Sequence, residues 1–403
     1  MSPTAHHHHP LHISFVVAAL IMLAPFTLDT YLPSFPDIQR ELGADAQAMQ
    51  HTLSFYLWAF GVMTLVYGPL SDAFGRKPVV LVAVVLYIAA SIGCAFAPDI
   101  GTLVLMRIGQ GVAAGAGLVV GRALVRDLYA GVQAQRVMAN VMLFFAVAPA
   151  AAPVVGGWLH DAAGWRAVFW FLAGLGLAVW LLAAARMPET LPAAGRTSLH
   201  PAFILRSYAR AFTNARFMGL TLVFAVNFGG MFLYIASAPV LIYEHLGYGS
   251  DDFWRLFVPL VGGIVTGSQI SARLSTRLAP TTSVWIAFAL MGTAAVLNLL
   301  QAYGLPLRPW IVIAPIALYA CGMAYGMPSL TLMALDCYPH QRGMASAVQG
   351  SLQLGSNGLV AALLVTPLSR SVQGLALGMA GLVLCALTLW ALWNLLPSRG
   401  PAD

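Results

Sequence analysis

Apolar residues run through this chain in blocks about twenty long, with polar residues gathered into the short gaps between them. Broken at Pro, Gly and charged positions, the pattern gives twelve blocks: 13–35, 51–71, 79–97, 102–123, 137–159, 165–186, 217–243, 253–274, 283–303, 309–334, 343–367 and 372–396. At about 1.5 Å per residue, such a block crosses the roughly 30 Å hydrocarbon core of a bilayer. Lipid offers the backbone no hydrogen-bonding partner, so each block is expected to be a helix. The longest polar gap, 187–216, falls after the sixth block and divides the chain six plus six. The expected layout is an N-terminal tail at 1–12, a six-helix bundle at 13–186, a linker at 187–216, a second six-helix bundle at 217–396 and a tail at 397–403. Two readings stand for the second part of the linker: a basic amphipathic helix on the membrane surface, or a plain tether between halves.

Composition removes the soluble alternatives. With 60% hydrophobic and 8% charged residues over 403 positions, there is too little charge to cover a water-facing surface. The net charge of +6 comes from 20 Lys and Arg scattered over short loops, with no basic stripe, so nucleic acid is not an expected partner. The cations report orientation instead. With the N-terminus inside, the cytoplasmic side receives Arg76, Lys77, Arg122, Arg126, Arg136, Arg186, Arg196, Arg206, Arg210, Arg216, Arg273, Arg277, Arg342 and Arg399. The other side holds Arg40, Arg166, Arg255, Arg308 and Arg370 among eight acids: Asp37, Glu41, Asp45, Asp99, Asp161, Glu244, Asp251 and Asp252. Both termini are therefore expected in the cytoplasm.

Other chemistries find little support. Cys94, Cys321, Cys337 and Cys385 lie singly, suggesting neither a disulfide framework nor a zinc site. The histidine run at 6–9 is read as a tail, with metal chelation as the other reading. No basic leader with a cleavage site precedes the first block. The remaining histidines fall in loops or at block ends, so no nucleophile–base or metal cluster suggests a membrane-embedded enzyme.

The halves echo each other. "GPLSDAFGRK" (68–77) follows block two and "GSQISARLSTR" (267–277) follows block eight. "RDLYAGVQAQRVMA" (126–139) and "LDCYPHQRGMA" (335–345) follow blocks four and ten. Duplicated halves around a midplane cavity are a transporter signature. "GPLSDAFGRKPVV" resembles the signature loop of the major facilitator superfamily, carried here by Gly68, Asp72, Gly75, Arg76 and Lys77. The resemblance implies an all-α integral membrane protein of twelve transmembrane helices in two pseudo-symmetric bundles. It also implies a cytoplasmic latch that favours the outward-facing state, with Arg76 reaching Asp127. Gly68 is expected to let helices approach closely, and Asp72 to cap a helix or pair with a cation. Ser271 stands where the second copy would carry its Asp, so the latch should be one-sided.

Block five contains "AVAPAAAPVVGGWL" (146–159), similar to the Gly-Pro-x-x-Gly-Gly antiporter motif of drug–proton exchangers, with Ala152 in place of the first Gly. Pro149 and Pro153 are expected to kink the helix, and Gly156 and Gly157 to permit close packing. In block four, Arg107 followed by Gln110 and Gly111 resembles the superfamily's Arg-x-x-Gln-Gly. Arg107 is read as a functional charge or as a tether to backbone carbonyls.

Block one carries a carboxylate, Asp29, in "LDTYLP" (28–33), which looks like the first helix of the Bcr/CflA-type drug-resistance transporters, the amphenicol and bicyclomycin exporters among them. Block one runs outward, which puts Asp29 about 9 Å below its outer boundary. Block four runs inward and places Arg107 at similar depth, so the two charges are expected to be neighbours. Burial and a nearby cation move a carboxyl's titration in opposite directions, and the balance would let Asp29 exchange protons. The other reading makes Asp29 a cap of the outer turn. Ile21 stands where some relatives carry a second acid, which leaves Asp29 as the lone carboxylate of the helix.

The resemblance thus implies a proton-coupled antiporter. It would export lipophilic or amphipathic drugs, phenicol-like antibiotics included, across the bacterial cytoplasmic membrane by alternating access. A metabolite exporter (sugar, nucleoside or amino acid) of the same superfamily is the second reading. Expected substrate contacts are Asp29, Tyr31, Tyr56, Arg107, Gln110, Asn227, Tyr234, Gln349 and Gln353, with Trp58, Gln269, Tyr325 and Asn357 as further wall residues. The cavity should be mostly apolar and aromatic, without buried charge in the second half. No cofactor is expected, the proton gradient supplying the energy. The partners are a small-molecule drug, protons and the bilayer, and the protein should act as a monomer.

Overall fold

Helix boundaries fall at caps that the sequence supplies. The computed structural model describes residues 10–192, 196, 201–304, 306 and 308–395, with side chains at all of these except 143–146, 201, 203 and 204. The histidine run at 6–9 and the tail at 397–403 lie outside the described residues. Among the described residues, twelve helices are long and apolar enough to cross a membrane. In chain order they are α1 (Pro10–Leu42), α2 (Ala46–Phe74), α3 (Arg76–Ala95), α4 (Ile100–Leu128), α5 (Gly131–Ala163), α6 (Trp165–Arg186), α7 (Ala215–Ala236), α8 (Ser250–Leu274), α9 (Pro280–Gly304), α10 (Pro309–Asp336), α11 (Arg342–Leu368) and α12 (Val372–Asn394).

Several helices outrun their apolar blocks because capped polar turns extend them. Asp45 accepts from Ala48 N at 2.7 Å to start α2, and Asp99 accepts from Thr102 N at 2.8 Å to start α4. Asn214 and Ser371 cap α7 and α12 in the same way. Residues 10–12, assigned to the tail on sequence, already belong to α1. In the other direction α7 stops early, at Ala236, and the chain continues into a π-helical turn over Val240–His245. A second π turn, Val360–Val365, interrupts α11.

In the first half α1 packs on α4, α5 and α6, α2 on α4, and α3 on α4 and α6. In the second, α7 packs on α10, α11 and α12, α8 and α9 pack on α10, and α9 on α12. Between halves, α2 runs along α11 and α5 along α8. The linker forms a helix, Pro201–Thr213, that rests across both halves. Its Tyr208 hydroxyl donates to Leu65 O at 2.6 Å, and the Tyr338 hydroxyl donates to its Arg210 O at 3.1 Å. This end of the molecule is called the linker face below, and the opposite end the far face.

Candidate functional site

The site begins where α1 breaks. Pro33 has no N–H, so the carbonyl of Asp29 loses its donor four residues on, and the regular helix stops at Asp29. A 3₁₀ turn, Leu32–Ser34, leads into the short second helix, Phe35–Leu42. The last carbonyls of a helix need outside partners. Phe26 O takes Thr30 N at 3.1 Å and Thr30 Oγ1 at 2.6 Å. Thr27 O takes Arg107 Nη1 at 3.0 Å.

Arg107 is wholly buried and caged. Its Nη1 also donates to Gln110 Oε1 at 2.8 Å, and its Nε points at Thr52 O at 3.4 Å. The guanidinium carbon stands 4.3 Å from the Tyr31 ring centroid and 4.5 Å from that of Tyr56. Around this cage, Gln110 Nε2 donates to Ser91 Oγ at 2.8 Å, the Thr27 and Tyr87 hydroxyls meet at 2.6 Å, and those of Tyr31 and Thr52 at 2.9 Å. One cation thus ties α1, α2 and α4 together at the negative end of a broken helix, where a positive charge is favoured. Tyr31, Tyr56 and Gln110 are committed to the cage, not to a cavity wall.

Asp29 does not join it. Its side chain is buried, its Oδ1 has no hydrogen-bond partner, and it forms no ion pair with Arg107. Depth is set by rise along the helix, which the two residues share; direction is not. Thr27 and Tyr31, four apart, share the face turned to Arg107, while Asp29 points about 200° around from Thr27. The expected neighbouring pair is therefore replaced by a tether, Arg107, and a lone buried carboxyl, Asp29.

Close packing supports this region from α5. A Cβ on Gly156 would stand 1.8 Å from Thr30 O, and one on Gly157 would stand 2.4 Å from Ser250 O of α8. Pro149 and Pro153 lie inside the same helix. So α5 is wedged between the broken stretch of α1 and the second half.

At the linker face the 68–77 loop is a charge cluster. Arg76 pairs with Asp72 at 2.5 Å and with Asp127 at 3.1 Å, and donates to Ser71 Oγ at 2.6 Å. Lys77 Nζ donates to Ala184 O at 2.7 Å. Sequence reasoning missed two members, Glu189 and Thr190, whose signal was the "PET" run directly after α6. Glu189 accepts from the backbone N–H of Arg76 at 3.0 Å and of Lys77 at 3.1 Å, and Thr190 Oγ1 donates to Asp127 at 2.9 Å. Gly75 has φ +100°, and a Cβ there would meet Glu189 at 2.6 Å, so this position requires glycine. Gly68 corrects an expectation: a Cβ on it would meet nothing within 4 Å, because it borders an open cleft and not a helix contact.

The halves are joined from Trp58 to the far face and separated at the linker face. Trp58 Nε1 donates to Gly355 O at 3.2 Å, Gln50 Nε2 to Ala236 O at 3.2 Å and Gln47 Nε2 to Ala362 O at 2.6 Å. The Tyr243 hydroxyl donates to Pro33 O at 2.7 Å, and Ser250 Oγ to Asp161 at 2.6 Å. Toward the linker face lie two adjoining cavities of about 270 and 360 Å³ that share Thr64, Val119, Arg126, Gly343 and Ala347. In the second half, Asn227, Tyr325, Gln349 and Asn357 are buried with an unpartnered polar atom each, and Gln353 is partly exposed. Tyr234 is held inside that half by Asn298, and Gln269 lies exposed, so neither forms a cavity wall.

The sequence profile described as Major Facilitator Superfamily matches residues 17–362. The chain belongs to the major facilitator superfamily. As a superfamily member it is a multi-pass membrane transporter of small molecules, not an enzyme. Multidrug resistance protein D of Escherichia coli (strain K12) is 29% identical, over 94% of this chain and 96% of that one. The chloramphenicol resistance protein of Pseudomonas aeruginosa is 30% identical, over 85% of this chain and 83% of that one. Among solved structures, a bacterial homolog to the human lysosomal transporter Spinster, inward-facing and occupied, matches with a TM-score of 0.72 at 16% identity, covering 98% and 97% of the two chains. The superfamily fold accounts for the paired halves, the seam and the single-sided cleft.

Proposed function

We propose that this transporter is a proton-coupled antiporter that exports lipophilic or amphipathic drugs, phenicols among them, across the bacterial cytoplasmic membrane. The linker face is the cytoplasmic one, as the excess of Lys and Arg on it suggests. The open cleft then belongs to an inward-facing state, and the seam is the closed outer gate. The observation that carries the reading is Asp29: a buried carboxyl in no ion pair and with Oδ1 unpartnered, in the broken helix that α5 packs against. An intramembrane acid so placed is the natural proton site. When ionised it has no counter-charge within ion-pair distance, so its charge state and the packing around it are linked. Cargo enters the cleft and reaches the orphaned polar atoms of Asn227, Gln349 and Asn357. Proton uptake at Asp29 from outside follows cargo release and returns the carrier inward. Arg107 holds the geometry of α1.

The test is a susceptibility screen in an efflux-deficient bacterial host, comparing the parent chain with Asp29→Asn, together with proton release from vesicles on drug addition. Loss of resistance and of proton release, with the protein still in the membrane, is the expected result. Resistance and proton release equal to the parent's would remove Asp29 from the coupling step.

A further inference from the structure

On the linker face the carboxylates are all engaged. Among the described residues four lie there. Asp72 and Asp127 bind Arg76, Glu189 binds the first-turn N–H groups of α3, and Asp336 pairs with Arg342 at 3.0 Å. Arg122 and Arg126, one turn apart on α4, have no hydrogen bond or ion pair among the described residues. Two guanidiniums at that spacing repel each other and do nothing for the helix.

Topology alone does not account for their placement: the positive-inside rule asks only for cations near the cytoplasmic ends of spans. Arg122 and Arg126 line the 270 Å³ cavity between the halves, opposite Arg342 at the first turn of α11. A methyl group on Gly343, the next residue, would stand 3.5 Å from Arg126 Nη1, so the facing elements are close. The first turn of α11 has no side-chain cap, which leaves its N–H donors available to the cleft. Leu118, Val119 and Leu335 form the apolar wall. A cleft with low-dielectric walls concentrates the field of the two uncompensated guanidiniums, Arg122 and Arg126, while Arg342 is held by Asp336, and planar guanidiniums match oxyanions in geometry.

We propose that Arg122 and Arg126, facing the uncapped first turn of α11, bind the head of an amphipathic anion: a sulfonate, carboxylate or phosphate carried on an apolar body. This deepens the export reading by naming a cargo class, and rests on that reading only for the direction of movement. Because the guanidiniums come from one half and the open N–H donors from the other, a bound anion draws α4 and α11 together and favours closing the linker face. The same head chemistry occurs in an anionic phospholipid, so the occupant is either cargo or lipid.

The full chain in nanodiscs of zwitterionic lipid is titrated with 8-anilinonaphthalene-1-sulfonate and with its neutral analogue N-phenyl-1-naphthylamine, followed by fluorescence. The double variant Arg122→Gln/Arg126→Gln should weaken sulfonate binding at least tenfold and lower the sulfonate-to-neutral preference by a similar factor. Lys at both positions should restore most of the preference, and high salt should reduce it in the parent. An unchanged sulfonate affinity, or an equal loss for the neutral probe, overturns the site. Phosphatidylglycerol that displaces the sulfonate, without uptake of the sulfonate into proteoliposomes, assigns the site to a lipid head. Arginine-dependent uptake assigns it to cargo. A parent that gives no drug resistance yet binds the sulfonate through these arginines defeats the export reading and leaves the site standing; resistance without arginine-dependent binding does the reverse.

Discussion

Glu189→Ala should loosen the first turn of α3 while leaving the rest of the bundle intact. The donors at this helix start are few. Gly75 N–H goes to Ser71 O at 3.1 Å, Pro78 has none, and those of Arg76 and Lys77 both go to the Glu189 carboxylate. A lost cap costs about 0.5–2 kcal/mol, and losing a negative charge beside a helix N-terminus costs about 0.3–1 kcal/mol more. The two sum to about 1–3 kcal/mol, but the carboxylate is solvent-exposed and water replaces part of each bond, so a total of about 1–2 kcal/mol is the fair range. At about 1.4 kcal/mol per tenfold, local opening becomes roughly 5- to 30-fold more frequent. Hydrogen exchange followed by mass spectrometry on a peptide spanning 75–80 reads this directly, with a peptide from the middle of α3 as the internal control. Glu189→Gln keeps one acceptor oxygen and should fall between parent and Ala. Exchange within twofold of the parent in the Ala variant would refute the capping role. Acceleration across all of α3 would show that Glu189 holds the helix and not its first turn.

Three further outcomes follow from the geometry. Gly156→Ala places a methyl group where Thr30 O stands 1.8 Å away, so α5 and α1 must part; overpacking of about 1–3 kcal/mol should lower the thermal midpoint and reduce transport, and a variant matching the parent in both sinks the close approach. Arg107→Lys keeps the charge but loses the planar group that donates from Nη1 to Thr27 O and Gln110, points Nε at Thr52 O and lies against the Tyr31 and Tyr56 rings, so drug efflux should fall sharply with expression retained; full activity in the Lys variant would mean that charge alone suffices. Trp58→Phe combined with Gln47→Leu removes two donors from the seam, and distance measurements between labelled halves should then show more of the far-face-open state; an unchanged distribution would remove these bonds from the closure.

The helices were legible because lipid leaves the backbone no alternative; their capped starts at Asp45 and Asp99 were not, because the apolar blocks begin only at 51 and 102. The contact between Arg76 and Asp127 was legible too, since the loop length brings the start of α3 beside the end of α4. What the sequence concealed was direction around an axis. Asp29 and Arg107 share a depth, which the rise per residue dictates, but about 100° of rotation per residue sends Asp29 to a different face from Thr27, whose carbonyl meets the cation, and the turn after Asp29 brings the Tyr31 ring to it. The same limit hid Arg122 and Arg126, whose position near a membrane boundary reads as simple topology until the fold sets them on the cleft opposite the start of α11. Glu189 was concealed for a different reason: its partners are main-chain groups, so only its place in the "PET" run after α6 marks it.

Four of the seam's bonds, from Trp58, Gln50, Gln47 and Tyr243, end on main-chain oxygens of the opposite half. Gly355, Ala236 and Ala362 serve this closure through the main chain alone, whereas Pro33 also breaks α1. Substitutions elsewhere that reshape what either half recognises leave these acceptors in place. Such a protein changes its clientele cheaply.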